Sequence, residues 1–97
     1  MKTTSNKLSP TQIEVLTLMN QGWELGRSEG FFESTWLQKD GLGKGGPTKR
    51  ISIATLYSLV KKGYILHTKT IYPNNYYVLT TKGKGYTNLL EIVKENN

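Results

Sequence analysis

Both ends of two helices can be read directly from this chain, and they leave little freedom for what lies between them. In Ser9-Pro10-Thr11-Gln12, Ser9 can cap a helix and Pro10 takes the first helical position, where its missing N–H costs nothing. Gln12 completes an S-x-x-Q capping box, and Leu8 and Ile13 fall at the two positions of a hydrophobic staple. Ile13, Leu16 and Met19, with Val15 beside them, recur at helical spacing until Gly22 ends the run, which predicts a helix over 10–21. A second helix is predicted over 52–62, with Ser52 as its cap and Gly63 as its terminator. Ile53, Leu56, Leu59 and Val60 line one side of it. Ala54, Thr55, Ser58, Lys61 and Lys62 line the other, with Tyr57 on the flank.

The segments around these helices change period. Trp23–Arg27 and Phe31–Gln38 flank a Ser28-Glu29-Gly30 turn signal and read as a β-hairpin; a short helix over Ser34–Lys39 is the competing reading. Gly41–Pro47 holds four of the ten glycines and reads as a flexible loop. Gly41, Gly43 and Gly46 match G-x-G-x-x-G in form, but no βαβ unit surrounds them and Pro47 stands where a phosphate-binding loop needs Lys. Tyr64–Ile71 is a strand, Tyr72-Pro73-Asn74-Asn75 a turn, and Tyr76–Leu79 the returning strand. Thr80 or Thr81 can cap a last helix over 82–94, in which Tyr86, Leu89, Leu90 and Val93 keep helical spacing. The fold class expected is α+β: three main helices, a hairpin in the C-terminal half and a possible extra hairpin at 23–38. Residues 1–7 read as a disordered lead-in and 8–97 as a single domain, in keeping with a length of 97 residues.

Composition removes several functions. The chain has no cysteine, so thiolate metal sites and cysteine nucleophiles are excluded, and its single histidine, His67, has no evident catalytic partners. No enzyme activity, metal or cofactor is expected. No apolar stretch approaches the ~20 residues a membrane span requires, and residues 1–10 lack the apolar core of a secretory signal, so a cytoplasmic protein is expected. The net charge of +6 is unevenly spread. Residues 41–90 contain Lys44, Lys49, Arg50, Lys61, Lys62, Lys69, Lys82 and Lys84 and no acid, whereas 1–40 and 91–97 are each net −1. Fifty residues of one sign point to an anionic partner that offsets their mutual repulsion.

The run Ile53-Ala54-Thr55-Leu56-Tyr57-Ser58-Leu59-Val60-Lys61-Lys62-Gly63-Tyr64-Ile65, followed by Tyr77-Val78-Leu79-Thr80-Thr81-Lys82-Gly83, resembles a winged helix-turn-helix domain of the bacterial, archaeal or phage kind. Those domains run T-ϕ-x-x-L-x-x-x-G-x-I, with ϕ apolar, and then a wing closing in Y-x-L-T-x-x-G. The likeness covers about residues 8–92. It departs from the family at 23–49, where a hairpin and a Gly-rich loop stand in place of a compact second helix.

The resemblance implies double-stranded DNA binding, with helix 52–62 in the major groove and hairpin 64–79 as the wing, in a transcriptional regulator or a phage or mobile-element protein. Ser52, Ala54, Thr55, Tyr57 and Ser58 are the candidates to face bases. Lys44, Lys49, Arg50, Lys61 and Lys62 are candidates for flanking phosphates, and Lys69 and Tyr72 for a wing contact. A homodimer through Leu89, Leu90, Ile92 and Val93 is expected under this reading and under an alternative, a protein-interaction module. RNA or single-strand binding is a further alternative, since Tyr72, Tyr76 and Tyr77 offer stacking rings, although cross-strand packing is their plainer role. Trp23 and Trp36 are read as packing residues rather than a ligand cage.

Overall fold

The computed structural model describes residues 8–30 and 33–95, with side chains as far as Leu89. The elements run α1 (Pro10–Asn20), β1 (Trp23–Ser28), β2 (Ser34–Lys39), β3 (Thr48–Ile51), α2 (Ile53–Lys61), β4 (Ile65–Ile71), β5 (Asn74–Leu79) and α3 (Thr81–Glu95). The strands form one antiparallel five-stranded sheet in the order β3-β2-β1-β5-β4.

Both halves of the capping box start α1: Ser9 Oγ accepts the Gln12 amide N–H at 3.2 Å, and Gln12 Oε1 accepts that of Ser9 at 2.8 Å. Val15, Leu16 and Met19 then turn inward and meet Leu25 and Leu37 of the sheet, Leu56 and Leu59 of α2, and Ile65 and Tyr77. Successive strand residues alternate between faces. Leu25, Leu37, Ile51, Ile65 and Tyr77 therefore share the face that packs on the helices, and the opposite face carries no helix among the described residues.

The hairpin reading of 23–38 holds, with strands 23–28 and 34–39 in register from Trp23↔Lys39 to Ser28↔Ser34. No short helix forms over Ser34–Lys39. Phe31 and Phe32 lie outside the described residues. Strand β3 is an addition. Its four residues pair antiparallel with β2, from Thr35↔Ile51 to Gln38↔Thr48.

The Gly-rich segment is a tied connection rather than a free loop. The Leu42 N–H donates to Glu24 Oε1 at 2.9 Å and that of Gly43 to Gln38 Oε1 at 2.8 Å, while Gln38 Nε2 donates to the Gly46 carbonyl at 3.0 Å. These bonds lay Leu42 over Gly26 on the helix-free face, where a Cβ on residue 26 would stand 2.3 Å from Leu42 Cδ1.

The second turn is tighter than four residues: only Tyr72-Pro73, joined by a cis peptide, separates β4 from β5, and Asn74 and Asn75 already pair with the strands. Thr80 caps α3, its Oγ1 accepting the Gly83 N–H at 3.0 Å and donating to the Gly63 carbonyl at 2.6 Å. Its own N–H donates to the Tyr64 carbonyl at 3.0 Å. Gly83 is required there, because a Cβ would come within 2.2 Å of the Tyr64 carbonyl oxygen. The G-Y-I and L-T-x-x-G elements thus interlock the end of α2 with the start of α3.

Candidate nucleic-acid interface

Helix α2 presents a narrow outward stripe. Ala54, Tyr57 and Lys61, at i, i+3 and i+7, are exposed, with Val60 beside them; Leu56 and Leu59 are fully buried behind. Tyr57 is 52% exposed, and the Arg27 guanidinium sits 5.9 Å from its ring centroid. The short hydroxyls of α2 are occupied by the fold itself. Ser52 Oγ accepts the Thr55 N–H at 3.2 Å and lies 2.9 Å from Thr55 Oγ1, which draws Thr55 into the helix cap. Ser58 Oγ accepts a bond from Gln12 Nε2 at 2.6 Å, pinning α2 to the first turn of α1. Gln12 thus serves both helices, a role sequence spacing gives no sign of.

Three cationic residues meet at the far end of α2. Lys61 ends the exposed stripe, Lys62 follows as the C-cap, and Lys82 of α3 reaches across, its Nζ donating to the Lys62 carbonyl at 2.7 Å and lying 4.6 Å from the Tyr64 ring centroid. Carbonyls and cations at a helix C-terminus attract one another, which favours this arrangement.

The sequence pairs Lys49 with Arg50, but strand alternation sends them to opposite faces of β3. Lys49 Nζ pairs with Glu14 Oε2 of α1 at 3.3 Å, while Arg50 stands opposite Trp36 on the helix-free face. Lys44 is exposed in the Gly-rich connection, against Gly41. Lys69 lies on β4 with its Nζ 4.8 Å from the Tyr76 ring centroid, and Tyr72 is 80% exposed at the hairpin tip. On α3, Leu89 is 62% exposed; the side chains of Leu90, Ile92 and Val93 lie outside the described ones. Comparison with family models, curated sequences and solved structures found no match to the chain.

Charge compensation is equally uneven in space. The ion pairs Arg27–Glu29 at 3.5 Å, Arg27–Glu33 at 3.3 Å and Lys49–Glu14 engage three of the acids, and Glu24 is held by the Leu42 N–H. Among the described residues, Lys44, Arg50, Lys61, Lys69, Lys82 and Lys84 enter no ion pair. His67 accepts or donates a bond with Thr70 Oγ1 at 2.8 Å and sets its ring edge-on to Tyr77. Burial pushes the Tyr77 hydroxyl above the ordinary tyrosine range; nearby Arg27 opposes that shift, and Tyr57 and Glu29 add to it. No helix among the described residues is long and apolar enough to cross a membrane.

Proposed function

We propose that this chain binds double-stranded DNA as a winged-helix-like protein, with α2 in the major groove and the β4–β5 hairpin as the wing beside it. A role as a transcriptional regulator or a phage or mobile-element protein follows from that activity. The observation that carries the reading is the α2 stripe Ala54–Tyr57–Lys61, which runs into Lys62 and Lys82 within a region whose other cations have few acidic partners. A helix bearing one small residue, one ring and a terminal cation fits a groove about 12 Å wide, where bases are read, and whose rims are phosphate. Because the hydroxyls of Thr55 and Ser58 are engaged within the fold, Ala54 and Tyr57 take the reading role, and Lys61, Lys62 and Lys82 the positioning role. On this reading, strands β1–β3 stand in the sequence where the family has its second helix. Exposed Leu89 supports a homodimer through α3.

Duplex titrations across a salt series test the proposal. Affinity should fall with a slope of about −0.9 per phosphate neutralised, and Lys61→Ala and Lys82→Ala should each make the slope shallower by about one unit. Tyr57→Ala should change preference among duplex sequences by about 1–3 kcal/mol at one base pair. Affinity that stays flat from low to physiological salt overturns the proposal and leaves a protein-interaction module built on α3.

A further inference from the structure

The helix-free face of the sheet carries an arrangement that no single segment of the sequence contains. The registers Arg50↔Trp36, Trp36↔Gly26, Gly26↔Tyr76 and Tyr76↔Lys69 align one residue from each of the five strands in a row across the sheet. The row reads cation, indole, glycine, phenol, cation. Strands lie about 4.8 Å apart, so the backbone positions bearing the two rings are about 10 Å apart and those bearing the two cations about 19 Å. Leu42 packs over Gly26, the position between the two rings, and is buried at 7% exposure.

A break in strand periodicity completes the row. The β4–β5 register shifts between His67 and Lys69, leaving Thr68 as the extra residue. Strict alternation from buried Ile65 would turn Lys69 toward the helices; the bulge turns it onto the Tyr76 ring instead. Exposed Leu66, Val78 and Ile71 extend the same face around Tyr76. The face carries one acidic strand residue, Glu24, whose carboxylate accepts the Leu42 N–H.

Solvent faces of antiparallel sheets are ordinarily polar. Here two half-buried rings, each with a cation on its outer side that has no ion pair among the described residues, form a stacking platform with anion contacts at both ends. That is the chemistry of single-strand recognition, in which bases stack on rings and basic side chains take the phosphates. A duplex would bury its bases and leave the rings unused. We infer that the sheet face opposite the helices binds single-stranded nucleic acid across its strands, with bases on Trp36 and Tyr76 and phosphates at Arg50 and Lys69. This surface lies apart from the α2 stripe and shares the β4–β5 hairpin with the duplex reading.

The two tryptophans make the test direct, because Trp23 lies on the helix side of the sheet and Trp36 on the open side. Trp23→Phe leaves Trp36 as the single indole. Titration of that variant with oligothymidylate and oligouridylate should quench its fluorescence, and the pair of oligonucleotides distinguishes a DNA strand from an RNA strand. In the otherwise unchanged protein, Tyr76→Leu, which keeps an apolar side chain, should weaken oligonucleotide binding about 5- to 100-fold, and Arg50→Gln should flatten its salt dependence. Tyr57→Ala should impair duplex binding and leave oligonucleotide binding within about threefold. Unquenched Trp36 at saturating oligonucleotide, or Tyr76→Leu binding as tightly as the unaltered protein, overturns the inference. So does absence of oligonucleotide binding accompanied by dimerisation that Tyr76→Leu abolishes, which would assign the face to a second copy of this chain.

Discussion

The two faces of one sheet are built by different rules. On the helix side, Leu25, Leu37, Ile51, Ile65 and Tyr77 meet three helices, and little of them reaches solvent. On the other side, Arg50, Trp36, Tyr76 and Lys69 come from four strands, and a single leucine from a glycine-rich connection covers Gly26 between them. Residues one position apart in the chain therefore answer to different demands: Lys49 serves α1 through Glu14, while Arg50 belongs to the open face. The comparison separates the face that holds this protein together from the face left open to solvent.

The difference should be largest for core truncation. Leu37→Ala, at a fully buried site between sheet and helices, should lower stability by about 2–5 kcal/mol, seen as a lower urea midpoint with an unchanged slope. A loss under about 1 kcal/mol would mean the helix face is not the stabilising one.

A smaller effect should come from alkaline pH. The Tyr77 hydroxyl titrates above its unfolded value of about 10, so its neutral form contributes stability that is complete below that pH. The contribution is lost as pH rises from about 10 through the raised folded value, because the unfolded chain releases this proton first. Urea midpoints should decline over that range, and Tyr77→Phe should make the decline shallower. Equal declines in the two proteins would remove Tyr77 from the helix-side core as a titrating group.

The smallest effect belongs to the open face. Lys69→Ala should alter stability by no more than about 0.5 kcal/mol in the same urea titration, since it removes an exposed side chain set over the Tyr76 ring. A loss above 1.5 kcal/mol would show that the two faces share the structural burden.

Local chemistry made much of this fold legible. Ser9 with Gln12, Ser52, Gly22 and Gly63 mark helix ends through bonds within a few residues, and Tyr72-Pro73 marks a turn for the same reason. Strand β3 was not legible: Thr48-Lys49-Arg50-Ile51 has one apolar side chain, and only pairing with β2 makes it a strand. The outward role expected of Ser58 missed its bond to Gln12, a partner 46 positions away. The open-face row was least visible of all. Its members span residues 26–76, and the bulge at Thr68 breaks the alternation by which Lys69 would have been assigned. Charge segregation was plain from the sequence, but the surfaces receiving those charges depend on register.

Arg50 and Lys69 also stand on the two outermost strands, whose outer side has no neighbour within the sheet. Unpaired strand edges recruit other chains, and natural sheets blunt them with short strands, lysines and bulges. Here β3 is only four residues long and carries two cations, while β4 has both a bulge and a lysine. The side chains at the ends of the row are thus also edge guards that keep the sheet five strands wide. The two positions proposed to contact an anion therefore also guard the sheet edges, so substitutions made there to alter binding act on resistance to aggregation as well.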